Sequence, residues 1–421
     1  MVKNRLIIEG GRKLKGKVKI GSAKNAVLPI LAASLLTDKK VILKNISLVS
    51  DVLTMLEILK AIGSKIEVIN NDIIIDNSNV NSFFPPDEIV KKIRASYYLI
   101  APLLFRFRRV KIAYPGGCEI GERPIDLHIK GLMNLGAKVI PNSKYLEAEI
   151  NELKGKEIYL YGYKGPSVGA TCQVLLAASK INGKTTIFGA SCEPEVIDLI
   201  NFLKRMGVEI YGEGTPVIEI YGKEDLNGCA YEPIPDRIEA GTFLCAGLIT
   251  DGEITIKNVI PKHLEIVLQK LKEAGADLEI GEREIKIKRR EKELKPLNII
   301  TSFYPGFPTD LQAQFTTLAC LAKGESIICE NIFERRFAHC QELKKMGADI
   351  EIINNKAIIK GKEKLIGKEV NASDLRASAS LVLAGLIAEG ETIINNSFHL
   401  DRGYYQLEKK LATLGAQISR I

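Results

Sequence analysis

The sequence predicts an α/β fold of two domains, in which buried helices are surrounded by sheets as in an inside-out α/β barrel. Three observations support this prediction. The chain has 421 residues, which suits two domains of about 200 residues better than one core. A glycine that follows a helix-like segment recurs six times at nearly constant spacing. Six further segments are apolar on almost every side.

The recurring glycine follows runs such as LKEAG and LKKMG and precedes strand-like runs such as ADLEI. Successive members are 73, 71, 68, 72 and 68 residues apart. Helices commonly end on a glycine in the left-handed conformation, which glycine adopts without steric cost. We therefore expect six repeats, three in each domain, each with a left-handed glycine at one helix end. The six positions are Gly63, Gly136, Gly207, Gly275, Gly347 and Gly415.

The apolar segments, such as AVLPILAASLL and TCQVLLAAS, alternate with the glycines and lead into strand-like runs. A helix that is apolar all round must be buried on every side. Each repeat is therefore expected to be a βαβαββ unit with its apolar helix inside. We also expect two hairpins, RLIIEGGRKLKGKVKIGS before the first buried helix and REIKIKRREKELKPLNIITS before the fifth.

Composition narrows the possible functions. With 46% hydrophobic and 26% charged residues the chain has the composition of a soluble globular protein. Its eight cysteines form no C-x-x-C pair and its four histidines are dispersed, so no metal site is expected. No signal peptide is visible, and the cytoplasm is the expected compartment.

The net charge of +8 favours anionic ligands. Nucleic acid is an alternative ligand, although the absence of Trp leaves few aromatic side chains on which bases could stack.

The stretch YPGGCEIGERPIDLH places Cys118 in a glycine-rich turn, five residues before Arg123. Adjacent glycines allow a sharp bend and close approach of a ligand. A thiol beside fixed positive charge is a setting in which its proton affinity matters. The alternative is a surface loop with an incidental cysteine.

The chain resembles the enolpyruvyl transferase family over essentially its whole length. The resemblance rests on ordered motifs, namely GSAKNA (21–26), IRAS (93–96), PGGCEIGERPIDLHI (115–129), PSVGAT (166–171), EPE (193–195), PDRIEAGTF (235–243), FPTDLQAQF (307–315), FERRF (333–337), DLRASASLVLAG (374–385) and HLDRGY (399–404). It implies one domain of residues 22–234 and a second of 1–21 plus 235–421. The crossings would lie near 21–23 and 231–236, with substrates in the cleft between the domains.

The resemblance implies transfer of the enolpyruvyl group of phosphoenolpyruvate to the 3'-hydroxyl of UDP-N-acetylglucosamine, with release of phosphate by addition and elimination. This is the first committed step of peptidoglycan precursor synthesis. It implies two small-molecule substrates, no cofactor, no metal and no nucleic-acid or membrane partner. An enzyme like 5-enolpyruvylshikimate-3-phosphate synthase is the alternative within the same fold, although it does not rely on a PGGC lid. A non-catalytic basic repeat protein that binds nucleic acid is the alternative of another class.

For phosphoenolpyruvate the resemblance implies cations around both charged groups. Its phosphate would lie among Lys24, Arg123 and Arg402, with Asn25 nearby, and its carboxylate beside Arg336 and Arg376. We expect the candidates largely at the starts of buried helices, where free N–H groups and the helix dipole favour anions, namely Lys24 and Asn25, Arg94 and Arg376. FERRF carries two arginines where the family usually has one, so Arg335 is the alternative to Arg336.

The catalytic residues implied are Cys118, Asp310, Lys24 and Arg402. Cys118 would lie on a mobile lid and donate the proton to C3. Its sulfur could also add covalently to phosphoenolpyruvate. Asp310 would handle the proton of the sugar hydroxyl; alternatively it is only an acid in a first helical turn behind a Thr309 cap. Asp374 is expected to be a helix cap.

The residues implied for the nucleotide sugar lie in both predicted domains. Ser167 among them could simply cap its helix. Cys192 departs from the basic residue that relatives usually carry before EPE, which leaves any contact at that point open. The full set is Asn25, Arg94, Arg123, Pro124, Ile125, Asp126, Leu127, Ser167, Val168, Gly169, Asp310 and Ile332.

Overall fold

The structure is a computed structural model that describes residues 4–114, 116, 121 and 124–421. The described chain divides into two compact units. The N-terminal unit comprises residues 22–114 and 124–234, and the C-terminal unit comprises residues 4–21 and 235–421. Cys118 and Arg123, to which the sequence assigns functional roles, lie outside the described residues.

Strands and helices alternate along most of the described chain. The strands are β1 Leu6–Glu9, β2 Lys15–Lys19, β3 Val41–Leu43, β4 Lys65–Ile69, β5 Asp72–Asp76, β6 Arg109–Ala113, β7 Lys138–Pro141, β8 Tyr145–Glu149, β9 Glu157–Tyr159, β10 Tyr161–Gly162, β11 Gly165–Pro166, β12 Gly183–Phe188, β13 Glu209–Tyr211, β14 Val217–Gly222, β15 Ala230–Tyr231, β16 Glu253–Lys257, β17 Ala276–Ile280, β18 Glu284–Arg289, β19 Asn298–Ile300, β20 Glu325–Cys329, β21 Asp349–Ile353, β22 Lys356–Lys360, β23 Glu369–Asn371, β24 Glu391–Asn395 and β25 Gln417–Arg420.

The α-helices are α1 Lys24–Ala33, α2 Ser50–Ala61, α3 Asp87–Val90, α4 Ile100–Phe107, α5 Asp126–Leu135, α6 Val168–Ala178, α7 Pro194–Arg205, α8 Arg237–Ile249, α9 Glu265–Glu273, α10 Gln312–Ala319, α11 Ala338–Lys345, α12 Leu375–Ile387 and α13 Leu407–Thr413. Short 3₁₀ helices precede or follow several of them. Three of these carry candidate residues, namely Arg94–Leu99, Thr309–Leu311 and Ser397–Arg402.

Five four-stranded sheets among the described residues share one topology. Their strand orders are β15-β3-β5-β4, β9-β12-β14-β13, β2-β16-β18-β17, β19-β20-β22-β21 and β23-β24-β1-β25. In each, the first strand runs parallel to the second, and the remaining pairs are antiparallel. A sixth sheet has three strands, β6-β8-β7. The recurrence of one pairing scheme agrees with a repeating chain.

The two predicted hairpins are wrong. β1 lies between β24 and β25 and pairs antiparallel with both, whereas β2 runs parallel beside β16 in another sheet. Both hydrogen-bonding edges of β1 are therefore occupied, and none remains for β2. β18 and β19 are likewise in different sheets, because β18 lies between β16 and β17.

The prediction for the glycines is confirmed, and so is the burial predicted for three of the apolar helices. All six repeat glycines have positive φ, between 93° at Gly347 and 111° at Gly63. Every residue of α10 is buried, as are nearly all residues of α8 and α12. These three helices contact one another in the C-terminal unit, where Phe243 and Phe315 are among the fully buried side chains. Burial of each such side chain contributes about 1.5–3 kcal/mol to the stability of the folded state. The first turns of these helices are therefore supported by a well-packed core.

Candidate active site

Asp310 joins two arginines in the C-terminal unit. It lies on the 3₁₀ helix Thr309–Leu311 that leads into α10. Its Oδ1 accepts a hydrogen bond from Arg336 Nη2 and its Oδ2 accepts one from Arg376 Nη2, both at 2.6 Å. The two arginine side chains are each 6% exposed, whereas the aspartate side chain is 25% exposed. One carboxylate that solvent can reach therefore bridges two buried guanidinium groups.

Charge dominates the protonation of this cluster. Burial by itself would raise the pKa of the Asp310 carboxyl, but the charges and hydrogen bonds of Arg376 and Arg336 outweigh it. The pKa of Asp310 consequently lies well below its usual range. Burial opposes the charge of Arg376, yet Asp310 reverses that effect and raises the pKa of Arg376. The charged forms of Asp310 and Arg376 are therefore both favoured, and Asp310 in this arrangement is a weak base.

A buried glutamate holds the segments that carry Asp310 and Arg336. Glu330 directly follows β20 and is 3% exposed. Its Oε1 accepts hydrogen bonds from the Thr301 hydroxyl at 3.0 Å and from the backbone N–H groups of Ile332 and Phe333 at 2.8 and 3.1 Å. Its Oε2 accepts the Thr309 hydroxyl proton at 2.8 Å. Glu330 therefore fixes the turn before α10 and the segment before α11 relative to each other.

Thr309 does not cap a helix, contrary to the alternative drawn from the sequence. The 3₁₀ helix begins after Pro308 without a side-chain cap. The Thr309 hydroxyl instead donates to Glu330 and accepts a hydrogen bond from Arg336 Nη1 at 2.9 Å. It thus connects the buried acid to the guanidinium that contacts Asp310. Sequence analysis missed Glu330; the one signal it offered was an acidic residue at the end of an apolar strand, between the two motifs that it joins.

Arg376 is held from both ends. It is the second residue of α12, whose N-cap is Asp374, as expected: Oδ1 of Asp374 accepts the N–H groups of Arg376 and Ala377 at 2.8 and 3.1 Å. Arg376 Nη1 donates to the buried Tyr404 hydroxyl at 3.3 Å. That hydroxyl lies 2.8 Å from the Thr242 hydroxyl, so α8 also supports the guanidinium.

The candidates expected at helix starts lie there. Lys24 is the first residue of α1, Arg94 begins a 3₁₀ helix and Arg376 lies in the first turn of α12. Arg336, however, lies in the turn before α11, and Arg402 is the last residue of the 3₁₀ helix Ser397–Arg402. These two positions therefore gain nothing from a helix N-terminus. Arg335 is exposed whereas Arg336 is buried, which distinguishes the two arginines of FERRF by their surroundings.

Lys24 is paired with an acid in the N-terminal unit. Its Nζ lies 3.1 Å from Asp51 Oδ2, and the two side chains are 13% and 7% exposed. Asp51 lies in the first turn of α2, where a negative charge is favoured by the helix dipole. The neighbouring Asn25 is exposed at the start of α1. The charge of Lys24 is therefore held in place by the scaffold.

A chain of contacts connects several predicted nucleotide-sugar residues of this unit. The Arg94 guanidinium lies over the Tyr97 ring at 5.6 Å, and burial lowers the pKa of Arg94. The Tyr97 ring lies 5.7 Å from the His128 ring. A Cβ atom at Gly169 would lie 2.7 Å from His128 Nε2, so the imidazole packs directly against the backbone of Gly169. The first turns of α5 and α6 are thereby brought together.

The remaining predicted positions lie beside these contacts. Ser167 caps α6, because its Oγ accepts the N–H of Ala170 at 3.3 Å. Val168 and Gly169 follow it and are half-buried, as is Ile332 in the other unit. Around the start of α5, Pro124 and Asp126 are exposed, Ile125 is half-buried and Leu127 is buried. Cys192, the departure before EPE, is half-buried.

The described residues hold no group of His, Cys, Asp and Glu side chains arranged to bind a metal. The seven cysteines among them are free thiols. No helix in residues 4–114 and 124–421 is both long enough and apolar enough to cross a bilayer. Within the C-terminal unit, the described residues offer two buried cations with one acid between them.

Comparison with solved structures defines the class. The enolpyruvyl transferase NikO from Streptomyces tendae matches with a TM-score of 0.89 at 25% identity, covering 99% of both chains. An EPSP synthase from Acinetobacter baumannii matches with a TM-score of 0.76 at 18% identity, over 99% of this chain and 100% of that one. The protein thus has the α/β fold of the enolpyruvyl transferases.

Sequence comparison gives the family. The model of the family described as EPSP synthase (3-phosphoshikimate 1-carboxyvinyltransferase) matches residues 8–411, and the chain belongs to this family. UDP-N-acetylglucosamine 1-carboxyvinyltransferase 2 of Clostridium tetani is 47% identical over 420 residues, covering 99% of this chain and all of that protein. UDP-N-acetylglucosamine 1-carboxyvinyltransferase of Coxiella burnetii is also 47% identical over 420 residues, covering 99% of this chain and 96% of the relative.

Proposed function

We propose that the protein transfers the enolpyruvyl group of phosphoenolpyruvate to the 3'-hydroxyl of UDP-N-acetylglucosamine and releases phosphate. The observation that carries this proposal is 47% identity over the full chain to proteins named for that activity. The proteins titled EPSP synthase are only 18–19% identical, so they support the fold and not the shikimate substrate. The reaction would serve peptidoglycan precursor synthesis in the cytoplasm.

Arg336 and Arg376 are proposed to bind the carboxylate of phosphoenolpyruvate. Two guanidinium groups that already share one carboxylate are spaced to share another. Charge-assisted hydrogen bonds of this kind are about twice as strong as neutral ones. The burial of both arginines supports the proposal, because a cation removed from water gains more from an anionic ligand.

The phosphate is proposed to lie among Lys24, Arg123 and Arg402, with Asn25 beside it. Lys24 and Asn25 open α1, which has no side-chain cap at its start. Backbone N–H groups at such a start attract anions. As phosphate leaves, these cations would stabilise the negative charge that develops on it.

The proton transfers are proposed for Asp310 and Cys118. In the addition step, the sugar oxygen bonds to C2 of phosphoenolpyruvate, its proton passes to Asp310 and a proton from Cys118 goes to C3. In the elimination step, C3 returns its proton to the Cys118 thiolate, the C2–O bond to phosphate breaks with its electron pair leaving on phosphate, and the C2=C3 double bond of the enol ether forms. Asp310 gives up its proton to the departing phosphate or to water. Asp310 lies within hydrogen-bond reach of the proposed carboxylate site, which supports a position near C2.

The nucleotide sugar is proposed to contact residues of both units. Arg94, residues 124–127 and the start of α6 at 167–169 belong to the N-terminal unit, and Asp310 and Ile332 to the C-terminal unit. Arg123 is proposed as a further contact and lies outside the described residues. We also propose that the units are domains of residues 22–234 and of 1–21 plus 235–421, with hinges near 21–23 and 231–236. Each would be an inside-out barrel of three βαβαββ repeats, which the shared sheet topology and the buried helices support.

Phosphate release from phosphoenolpyruvate tests the function. The assay is run with UDP-N-acetylglucosamine and, separately, with shikimate-3-phosphate. Release with only the UDP-sugar is expected; release with only shikimate-3-phosphate would assign the alternative activity. No release with either, together with DNA binding that weakens steeply with salt, would favour the nucleic-acid alternative.

A further inference from the structure

We propose that Asp310 is the resident counter-ion of the Arg336–Arg376 pair, that the carboxylate of phosphoenolpyruvate replaces it there, and that this exchange frees Asp310 to accept the proton of the sugar hydroxyl. The proposal rests on the proposed function of this site. It adds that substrate binding and activation of the base are one event.

The geometry gives Asp310 the position of a ligand. One of its carboxylate oxygens accepts a hydrogen bond from each arginine, which is how an external carboxylate would bridge the pair. It reaches each guanidinium through a single nitrogen, so neither contact is bidentate. The Nε of Arg336 is buried without a hydrogen-bond partner. The pair therefore retains donor capacity that an incoming carboxylate can use.

Solvent access and the number of hydrogen-bond anchors favour exchange at the aspartate. The arginines are 6% exposed and have further anchors, Arg336 on the Thr309 hydroxyl and Arg376 on the Tyr404 hydroxyl. Asp310 is 25% exposed, and its described hydrogen bonds go to these two arginines. An anion from solvent can therefore reach Asp310 and displace it without moving the guanidinium groups.

The surrounding charges do not provide a substitute for Asp310. The Coulombic effects of Tyr404 and Asp236 also raise the pKa of Arg376. Asp374 accepts hydrogen bonds from backbone N–H groups at the start of α12 and not from a guanidinium. Its charge raises the pKa of the buried His339, whereas the charge of Arg336 lowers it. Glu330 reaches Arg336 through the Thr309 hydroxyl. Within the described residues, Asp310 is the carboxylate hydrogen-bonded directly to both guanidinium groups.

Exchange has a chemical consequence. While both arginines contact Asp310, its carboxylate is stabilised in the charged form and takes up a proton poorly. A substrate carboxylate shares the two positive charges, so the partly buried Asp310 loses much of the stabilisation of its charged form. The affinity of Asp310 for a proton then rises, which is what a general base requires. Without phosphoenolpyruvate the base stays inactive.

Asp310→Asn tests the exchange. The substitution keeps the size of the side chain and removes its charge, so the arginine pair loses its internal competitor. We expect phosphoenolpyruvate to bind the variant at least about tenfold more tightly than the wild type, as for the loss of one competing charged hydrogen bond, while turnover falls. Affinity is measured by calorimetry, with the 3'-deoxy analogue of UDP-N-acetylglucosamine present so that no reaction occurs.

Two controls separate exchange from a general change in charge. Inorganic phosphate, which has no carboxylate, should bind Asp310→Asn within about twofold of the wild type. Asp374→Asn removes one negative charge beside Arg376 while retaining a good helix cap, and it should leave affinity for phosphoenolpyruvate within about threefold. Asp310→Ala repeats the experiment should the Asn variant fold poorly, with circular dichroism confirming the folded state.

Equal or weaker binding of phosphoenolpyruvate to Asp310→Asn would overturn the proposal, since a residue that is only a base affects turnover and not affinity. Equal tightening for inorganic phosphate would also overturn it, because the effect would then not belong to the carboxylate site. Absence of phosphate release in the wild type would contradict the proposed function instead, and the affinity comparison would still decide whether Asp310 competes with carboxylates.

Discussion

Two acids, one in each unit, show opposite responses to a protein interior. Asp198 on α7 is 2% exposed, and its carboxylate accepts hydrogen bonds from the Tyr231 hydroxyl at 2.5 Å and the Ile234 N–H at 3.1 Å. Burial raises the pKa of Asp198 to about 6, and these neutral donors offset it only in part. Asp310 is opposed by the same effect of burial, but its cationic partners hold its pKa well below the usual range.

The difference shows that the partner's charge, rather than burial, decides which acid stays ionised. Asp198 indicates what Asp310 would become if the charge of its arginines were neutralised by another anion. The stability effects also have opposite signs. The contribution of Asp310 is present at neutral pH and is lost as the pH falls below the usual aspartate pKa, whereas that of Asp198 is present at low pH and is lost as the pH rises through about 6.

The largest expected effect comes from breaking the arginine pair. Arg336→Ala removes one of two buried donors to the proposed substrate carboxylate and leaves Asp310 tied to Arg376. We expect kcat/KM for phosphoenolpyruvate to fall about 1000-fold, or about 4 kcal/mol, as for truncation of one partner of a buried charge pair. Steady-state phosphate release measures it.

Arg335→Ala is the matched control, since it removes the same group from the exposed neighbour. It should remain within about twofold of the wild type, as surface substitutions usually do. A large loss in Arg335→Ala with normal activity in Arg336→Ala would transfer the carboxylate role to Arg335.

The next largest effect is on the pH dependence of the unfolding free energy, and it comes from Asp198. Asp198→Asn removes a titrating group whose raised pKa makes its ionised form costly inside the protein. The unfolding free energy of the wild type should therefore fall relative to that of the variant by about 2–3 kcal/mol between about pH 4 and pH 8. Urea unfolding across this range measures it, with Asp225→Asn at an exposed position as control. A difference that does not change with pH would remove the contrast between the two acids.

A smaller effect is expected from Thr309. Thr309→Val keeps the shape of the side chain but removes the hydroxyl between Glu330 and Arg336. The hydroxyl bonds to a guanidinium and to an acid, and a hydrogen bond to a charged group is worth about 1.5–3 kcal/mol, so kcat/KM should fall about tenfold or somewhat more. Thr309→Ser retains the hydroxyl and should restore most of the activity. If Val and Ser variants behaved alike, the link through Thr309 would not position Arg336.

Sequence predicted best what local physics determines. The left-handed glycines and the fully buried helices follow from residues within one turn of each position, and both are confirmed at Gly63 and along α10. Strand partners were mispredicted because β1 finds both neighbours in the last repeat, almost 400 positions away in the chain. Nothing near β1 encodes that pairing.

The candidate site divides in the same way. Asp310, Arg336 and Arg376 could each be named from motifs, but their mutual hydrogen bonds depend on three distant segments meeting. Glu330 was missed because its importance comes from the two turns that it holds together and not from a motif of its own. The family resemblance therefore identified these three residues, whereas the hydrogen bonds between them are known only from the structure.

Proton uptake on binding of phosphoenolpyruvate tests the counter-ion role of Asp310 most directly. Calorimetry in buffers of different ionisation enthalpy, between about pH 5 and 7, gives the number of protons bound with the ligand. The same titration of Asp310→Asn cancels the contribution of the substrate phosphate. If the substrate carboxylate displaces Asp310, the wild type should take up more protons than the variant near pH 5, by up to about one, and the difference should shrink toward pH 7, where Asp310 must stay ionised to act as a base. Equal uptake by the two proteins would show that Asp310 keeps its arginines when the substrate binds, and would contradict the account.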